Sequence, residues 1–302
     1  MVCAVLGVAG QAVSAGAEPG ARVTGELPLG GGAVQVDVYS PAMDRVITHR
    51  VLPAGGPGAP TLYLLTGAGG GEDAISWWDN TDVRRFFADE NVNVVMPVGG
   101  AYSLYTDWAF DDPAVGRARW KTFLADELPG VIDDRFATSG RNAVVGVSMS
   151  GGAAIDLAIQ APGRFQAVAA LSGCPWSADA AGVALVSAVA VRGGGNPGNI
   201  WGAPGGPGWQ AHAAFANAGR LAGKAVFLSA ASGVPGAIDQ GGPPMPPVEA
   251  VAAACTAAFA GRLAQAGVPA VHVQRPFGAH TWGQFQTDLH ESWPHLAPAI
   301  GA

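Results

Sequence analysis

Residues 143–151, Ala-Val-Val-Gly-Val-Ser-Met-Ser-Gly, join an apolar run to a stretch of small residues. The run before the serine is typical of a buried strand, and residues 151–155 are typical of the start of a helix. Such a sharp strand-to-helix turn holds its serine in a strained, exposed position, which is the nucleophile elbow of α/β-hydrolases. The motif here is Gly146-x-Ser148-x-Ser150, and small residues at both ends let strand and helix approach closely. The stretch therefore predicts an α/β-hydrolase fold with Ser148 as the nucleophile.

Length and composition limit the fold and the partners. With 302 residues the chain can bury a large core, and we expect a single domain over residues 18–302. The net charge of −7 argues against nucleic acid as a partner, because no basic stripe is present to neutralise phosphates. Glycine (45) and proline (23) are abundant and only 13% of residues are charged, which indicates glycine-rich loops around a hydrophobic body. The sequence predicts no cofactor and no metal site.

The first residues resemble a targeting segment. Residues 2–13 are largely apolar and are followed by Ser-Ala-Gly-Ala at 14–17, a small-x-small pattern typical of signal cleavage. We therefore predict a secretory signal over residues 1–17, although the usual positively charged start is missing; the alternative is a buried N-terminal helix. No other stretch approaches the roughly 18 unbroken apolar residues that span a membrane.

Three cysteines are present, and Cys3 would be removed with the signal. The remaining pair, Cys174 and Cys255, fits one disulfide in an oxidising compartment. The alternative is two free, buried thiols.

Apolar, β-branched runs alternate with helical segments along most of the chain. Strands are predicted at residues 34–39, 46–52, 61–65, 92–97, 143–147, 167–171, 225–229 and 270–274, and helices at 83–89, 120–133, 151–160, 247–266 and 282–293. The first two strands have no helix between them and predict an antiparallel edge, whereas the rest predict a mostly parallel sheet flanked by helices. Residues 177–223 are irregular and rich in Gly, Pro and Trp. We expect this insertion to lie over the site as a lid; the alternative is a surface loop whose tryptophans pack in the core.

A serine hydroxyl needs a base, and in α/β-hydrolases the order along the chain is Ser, acid, His. His280 follows the last predicted strand, at the sheet edge where the base belongs. His272 lies inside that strand, His212 lies in the irregular insertion, and His290 and His295 belong to or follow the last helix and are expected to be solvated. His280 is therefore the predicted base.

The acid must orient the imidazole and stabilise its charged form. Two carboxylates stand between the strand near Phe227 and His280, namely Asp239 and Glu249. Asp239 is closer to the strand end, whereas Glu249 starts a helix, where a carboxylate is also favoured by the helix dipole. Spacing alone leaves both open.

An oxyanion hole needs two backbone N–H groups directed at the developing charge. Met149, the residue after the nucleophile, is expected to supply one of them. The loop Thr-Gly-Ala-Gly-Gly-Gly at residues 66–71 is expected to supply the other. The alternative for this loop is a phosphate nest, but the Gly-Lys-Ser/Thr ending of a P-loop is missing.

From about Pro60 to Trp282 the chain resembles the antigen 85 family, the secreted mycolyltransferases of mycobacteria and corynebacteria. The motifs that carry the resemblance are, in order, Trp-Asp-Asn-Thr at 78–81, Val-Met-Pro-Val-Gly-Gly at 95–100, Tyr-Thr-Asp-Trp at 105–108, Trp-Lys-Thr-Phe-Leu at 120–124, Gly-Val-Ser-Met-Ser-Gly-Gly at 146–152, Leu-Ser-Gly at 171–173, Trp-Gly at 201–202 with Trp209, and His-Thr-Trp at 280–282. The resemblance implies an α/β-hydrolase whose acyl-enzyme passes a mycolic acid between trehalose esters or onto cell-wall sugar.

The resemblance also implies roles for individual residues. Ser148 matches the nucleophile and His280 the base, and Glu249 matches the family's glutamate, which favours it over Asp239. Met149 matches one oxyanion donor. Ala68 stands where the family has a leucine as the other donor, and a backbone donor tolerates that change.

Three further residues are implied at the substrate site. Trp282 matches a family tryptophan beside the sugar, and Gly67 and Asp107 are weaker matches for which a structural role is the alternative. The family often has Asp-Gly-Leu-Arg where residues 66–69 here read Thr-Gly-Ala-Gly. The missing acid and arginine leave catalysis intact as a prediction but put trehalose recognition in question.

We therefore predict a secreted, cell-envelope serine acyltransferase acting on acylated trehalose or another glycolipid, with a sugar or water as acceptor. One alternative is a carboxylesterase acting on shorter acyl esters. Another is a non-catalytic cell-wall-binding protein of the same fold. The sequence leaves acyl length, acceptor and oligomeric state open.

Overall fold

Nine strands form one mixed sheet in the computed structural model, which describes residues 20–302. The predicted signal lies outside the described residues. The strands are β1 (Arg22–Gly30), β2 (Ala33–Ser40), β3 (Arg45–Leu52), β4 (Thr61–Leu65), β5 (Asn93–Val98), β6 (Asn142–Val147), β7 (Ala167–Leu171), β8 (Ala225–Ala231) and β9 (Val271–Arg275). They lie in the order β1-β2-β3-β5-β4-β6-β7-β8-β9.

The sheet is antiparallel at one end and parallel elsewhere. The pairs β1–β2, β2–β3 and β3–β5 are antiparallel. The pairs β5–β4, β4–β6, β6–β7, β7–β8 and β8–β9 are parallel. All six residues of β6 are buried, as the near-continuous apolar sequence of a central parallel strand requires. The α/β-hydrolase prediction and its antiparallel edge are confirmed, and each predicted strand is found within two residues of its expected bounds.

Helices cover both faces of the sheet. They are α1 (Trp77–Asn80), α2 (Val83–Phe86), α3 (Trp120–Thr122), α4 (Leu128–Phe136), α5 (Met149–Gln160), α6 (Ala180–Arg192), α7 (Gly198–Trp201), α8 (Pro207–Ala211), α9 (Ala214–Asn217), α10 (Pro246–Gln265) and α11 (Trp282–Ile300). Alternate strand residues face opposite sides, so that Leu62 and Leu64 pack with α11 whereas Tyr63 and Leu65 pack in the core that contains α5 and α10.

β1 and α11 differ from the sequence expectation. β1 was missed because it is an edge strand with Gly25 and Pro28 inside it and mostly exposed side chains. α11 continues past Pro294 and Pro298 to Ile300, because the buried Leu296 and Ile300 anchor its last turns in the core.

The insertion at residues 177–223 is largely helical, since it contains α6 to α9. Trp201 and Trp209 are buried in the core, as expected for the alternative in which the tryptophans of the insertion pack there. Among these helices only α6 lines the site described below.

Candidate active site

The turn between β6 and α5 has the geometry of a nucleophile elbow. Ser148 has φ 56° and ψ −122°, a conformation that costs about 1–3 kcal/mol for a non-glycine residue. A Cβ on Gly146 would lie 1.9 Å from the carbonyl oxygen of Ser150, so only glycine fits there. The Ser150 hydroxyl accepts the Val147 N–H (2.8 Å) and lies 3.1 Å from the Leu65 carbonyl oxygen. These bonds explain why serine replaces the usual glycine at the last motif position.

Ser148, His280 and Glu249 form one hydrogen-bonded chain. His280 Nε2 lies 2.8 Å from Ser148 Oγ, and His280 Nδ1 lies 2.7 Å from Glu249 Oε2. Because a carboxylate only accepts, Nδ1 carries the proton and Nε2 is left to accept from the serine. His280 and Glu249 are buried and Ser148 is half-buried. The arrangement is that of a general base beside a nucleophile.

The second oxygen of Glu249 is fully occupied. Oε1 accepts hydrogen bonds from the Ala231 N–H (2.6 Å), Gln284 Nε2 (2.6 Å) and Ser172 Oγ (2.9 Å). Three donors on one oxygen fix the plane of the carboxylate. Sequence reasoning missed Gln284 and Ser172. The position of Gln284, four residues after the base at the start of a helix, was the available signal.

Asp239, the other candidate acid, supports the loop of His280 instead of its ring. Its Oδ1 accepts from the Ala279 N–H (2.8 Å) and the Thr281 hydroxyl (2.9 Å), and its Oδ2 accepts from the Gly236 N–H (2.7 Å). The structure therefore brings Glu249, and not Asp239, against the imidazole.

Ala68 and Met149, the predicted oxyanion donors, both line a cavity that Ser148 also lines. Met149 begins α5, where the helix dipole favours negative charge, and Ala68 lies on the loop after β4. Within residues 20–302 neither of these N–H groups donates a hydrogen bond. A Cβ on Gly67 would lie 3.6 Å from Ser148 Cβ, so this loop passes directly beside the nucleophile. Met149 and Ala68 thus have the placement of oxyanion donors.

One cavity at Ser148, here called the apolar cavity, has a volume of about 400 Å³. Apart from Ser148, Ser172 and His280 it is lined by carbon and sulfur side chains. They are Leu104, Met149, Cys174, Trp176, Leu185, Val186, Val189, Pro247, Val248, Val251 and Ala252. Such a lining favours a hydrocarbon chain.

A second cavity at Ser148, here called the mixed cavity, has a volume of about 550 Å³. Its lining includes polar and charged side chains, namely Asp73, Asn80, Arg192 and Thr281. Within residues 20–302 the Arg192 side chain forms no ion pair or hydrogen bond. A ligand with several hydroxyl groups suits such a lining.

The predicted substrate residues separate into two groups. Trp282 and Gly67 line the mixed cavity, and the Trp282 ring packs edge-on against Trp77 at 5.3 Å. Asp107 lines neither cavity. Its carboxylate accepts from the Thr122 N–H (3.0 Å) and hydroxyl (2.6 Å), which gives it a structural role at the start of a helical segment.

The predicted disulfide between Cys174 and Cys255 is present, with a Cα–Cα distance of 5.1 Å. It joins the segment after β7 to α10, the helix that carries Glu249. The Thr256 hydroxyl donates to the Gly173 carbonyl (2.9 Å) beside it. The bond therefore fixes one wall of the apolar cavity.

A further carboxylate is buried behind Glu249. Burial raises the pKa of Asp288 to about 7, and the negative charge of Glu249 adds to this shift while Arg275 opposes it. Arg275 Nε donates to Asp288 Oδ1 (2.9 Å), but Oδ2 has no partner in the described part of the chain. Asp288 is thus a second titratable group close to the proposed acid.

Three other histidines contact acidic or aromatic side chains. His290 pairs with Asp82 (2.9 Å) and stacks on Phe86, and His295 lies inside α11 against Phe227. His295 is exposed, as expected, whereas His290 is half-buried by its contacts. His212 pairs with Asp156 at 2.7 Å.

Residues 20–302 contain neither a membrane-spanning helix nor a metal-binding cluster. No helix there is long and apolar enough to cross a membrane. No three His, Cys, Asp or Glu side chains converge there on a point that could hold a metal ion.

Known proteins are similar to this chain in sequence and in architecture. Residues 40–296 match the model of the esterase family. Ag85A of Mycobacterium tuberculosis (strain ATCC 25618 / H37Rv), a diacylglycerol acyltransferase/mycolyltransferase, is 32% identical over 99% of this chain and 91% of its own length. The crystal structure of MPT51 (FbpC1) from Mycobacterium tuberculosis has a TM-score of 0.74 at 28% identity, covering 86% of this chain and 96% of that one. An S-formylglutathione hydrolase from Agrobacterium tumefaciens, at 17% identity and a TM-score of 0.66 over 93% of this chain and 100% of that one, shares the fold.

Proposed function

We propose, on the premise that this chain belongs to the esterase family and is a relative of the antigen 85 mycolyltransferases, that it is a secreted serine acyltransferase. Its substrate would be a long-chain acyl ester of trehalose or another glycolipid. The observation that carries the proposal is the chain Ser148–His280–Glu249 at the point where the apolar and mixed cavities meet.

The proposed reaction has two half-reactions. Ser148 Oγ attacks the ester carbonyl while His280 Nε2 takes the hydroxyl proton, and the N–H groups of Ala68 and Met149 stabilise the oxyanion. Collapse breaks the bond to the leaving alcohol, which receives the proton from His280. The acyl group is now an ester on Ser148. An acceptor hydroxyl then gives its proton to His280 Nε2 and attacks this ester. The bond between the acyl carbon and Ser148 Oγ breaks, His280 returns the proton to Oγ, and the acylated acceptor leaves as the product.

The presence of two cavities supports separate binding sites for the acyl chain and the sugar. The apolar cavity would hold the acyl chain, because burying hydrocarbon stabilises a complex by about 25 cal/mol per Å². The mixed cavity would hold the sugar. We further propose that residues 1–17 direct export to the cell envelope and that residues 18–302 are one domain. The disulfide supports an oxidising compartment.

The decisive experiment incubates the protein with trehalose monomycolate and separates the lipid products. Trehalose dimycolate and free trehalose support acyl transfer, whereas free mycolic acid supports hydrolysis. A fluorophosphonate probe should label wild-type protein and leave Ser148→Ala unlabelled. Equal labelling of the two proteins would refute the assignment of the nucleophile, and no product with no labelling would favour a binding protein of this fold.

A carboxylesterase is the second candidate. It is favoured by the loop at residues 66–69, which lacks the acid and the arginine of the family motif. An esterase would hydrolyse p-nitrophenyl butyrate rapidly, and added trehalose would not change the product. A trehalose-dependent acyl product would exclude this alternative.

A further inference from the structure

Gln284 lies in the first turn of α11 and has no exposed surface. Its Oε1 accepts the His280 backbone N–H at 2.9 Å. Its Nε2 donates to Glu249 Oε1 at 2.6 Å and to Ser172 Oγ at 2.7 Å. One amide therefore contacts the residue that supplies the base and the carboxylate that orients it.

No other side chain in residues 20–302 bonds both the Glu249 carboxylate and the His280 backbone. Ser172 bonds the carboxylate but not the His280 backbone, and Asp239 bonds Gly236 and the two residues that flank the histidine. The backbone of His280 has φ 66°, a strained conformation that persists only when neighbouring groups hold it. The hydrogen bond from the His280 N–H to Gln284 Oε1 is one of the contacts that hold this strained backbone.

The chemistry of this position suits glutamine in particular. The His280 N–H must face an acceptor and the Glu249 carboxylate must face a donor, so the orientation of the amide is determined by its partners. Glutamate would supply the acceptor but place a second oxygen 2.6 Å from Glu249. An aliphatic residue would supply neither.

We propose that Gln284 is a positioning residue that fixes the Glu249 carboxylate relative to the His280 imidazole. The inference rests on the proposed function, because it assumes that Ser148 and His280 react. Displacing a catalytic group by about 1 Å can cost on the order of 100-fold in rate.

The test compares Gln284→Ala and Gln284→Glu with wild type in the hydrolysis of p-nitrophenyl butyrate. We expect kcat to fall about 10- to 100-fold in both variants, with KM within about twofold, because positioning acts on the reacting state. Gln166→Glu is the matched control. Gln166 Oε1 also accepts a backbone N–H, from Asn142 at 2.7 Å, but Asn142 begins β6 and lies roughly 20 Å of strand away from Ser148.

The pH profile separates positioning from a purely structural role. In Gln284→Glu two adjacent carboxylates share one proton, and loss of that proton adds a negative charge that stabilises the protonated imidazole. The acidic limb of the kcat/KM profile should therefore move to higher pH in Gln284→Glu and not in Gln284→Ala. The carboxyl groups of Asp239 and Asp288 also lie near this site, but they are present in both variants and in wild type.

The outcomes are distinct. Wild-type kcat in Gln284→Ala, or identical pH profiles for the two variants, overturns the proposal while leaving the nucleophile assignment intact. Absence of fluorophosphonate labelling in wild type refutes the proposed function instead. In that case the proton NMR signal of His280 Nδ1–H, identified by its loss in His280→Ala, decides the inference. It should shift in Gln284→Glu and stay unchanged in Gln166→Glu, and an unchanged signal in Gln284→Glu overturns the proposal.

Discussion

The apolar cavity and the mixed cavity meet at Ser148, but they are built from different kinds of structure. Helices α6 and α10 and the disulfide-bonded Cys174 form much of the apolar cavity. The mixed cavity is formed largely by loops, at residues 67–73 and 241–245, together with the start of α11. Packed helices fix a shape, whereas loops tolerate substitution. The acyl group would thus be selected by core packing and the acceptor by loop residues that can change independently.

The largest expected effect concerns Ser148, His280 and Glu249, because both acyl transfer and hydrolysis would require them. Glu249→Gln should lower kcat for transfer and for hydrolysis together by about 10³- to 10⁴-fold, because an amide can stabilise the wrong tautomer of His280. Asp239→Asn keeps an oxygen acceptor for the Ala279 N–H and the Thr281 hydroxyl, so it should cost less than about tenfold. Steady-state kinetics of both reactions provide the measurement. An equal loss in the two variants would contradict the assignment of Glu249.

The placement of these residues was within reach of the sequence. A serine turn between a strand and a helix is a local pattern, and a histidine after the last strand follows from chain order. The choice between Asp239 and Glu249 needed the family resemblance, because both lie beyond the end of β8 and spacing does not separate them. The sheet was equally predictable, since its central strands are continuous apolar runs.

The cavities and the supporting contacts were not predictable in this way. α6 has an almost uniformly apolar sequence, and only its packing beside α10 turns Val186 and Val189 into cavity walls. Gln284 gains its role from a tertiary approach of α11 to Glu249 across 35 residues. The remaining predictions therefore test features that only the structure supplies.

Breaking the disulfide should weaken the helical cavity more than the loop cavity. Replacing both Cys174 and Cys255 with serine opens a loop of 81 residues and should lower the free energy of unfolding by about 2–4 kcal/mol. Thermal unfolding should show a decrease in Tm of roughly 3–7 °C. Long-chain ester hydrolysis should lose more activity than acetyl ester hydrolysis. Equal losses would show that the bond does not shape the apolar cavity.

Filling the apolar cavity should change chain-length preference. Ala252 is buried in α10 and lines this cavity alone, so Ala252→Leu adds volume there without breaking the helix. We expect kcat/KM for p-nitrophenyl palmitate to fall about 10- to 100-fold while acetyl ester hydrolysis changes little. Ala258→Leu, on the exposed face of the same helix, is the control. A uniform loss across chain lengths would place the acyl chain elsewhere.

Removing charge from the mixed cavity should affect the acceptor and not the acyl group. Arg192→Ala should lower kcat/KM for transfer to trehalose about 5- to 20-fold, because a charged hydrogen bond contributes about 1.5–3 kcal/mol before solvent screening reduces it. Hydrolysis without trehalose should stay within about twofold. Arg220→Ala removes an exposed arginine that lines neither cavity and should leave both rates unchanged. If Arg192→Ala slows hydrolysis as much as transfer, the acceptor does not occupy this cavity.

The smallest expected effect concerns the boundary between the cavities. Val189 of α6 and Val248 of α10 line both cavities, along with Ser148, Met149 and His280, so the two valines face the passage where water would reach an acyl-serine. Val248→Ala widens this passage and should lower the ratio of transfer to hydrolysis about two- to fivefold, since exclusion of water protects the intermediate. Val251→Ala is the matched control, because Val251 is similarly exposed (49% against 42%) but lines the apolar cavity alone. The ratio is measured with labelled trehalose monomycolate as both donor and acceptor. If both substitutions shift it equally, loss of packing explains the change, and the two cavities do not act as separate compartments.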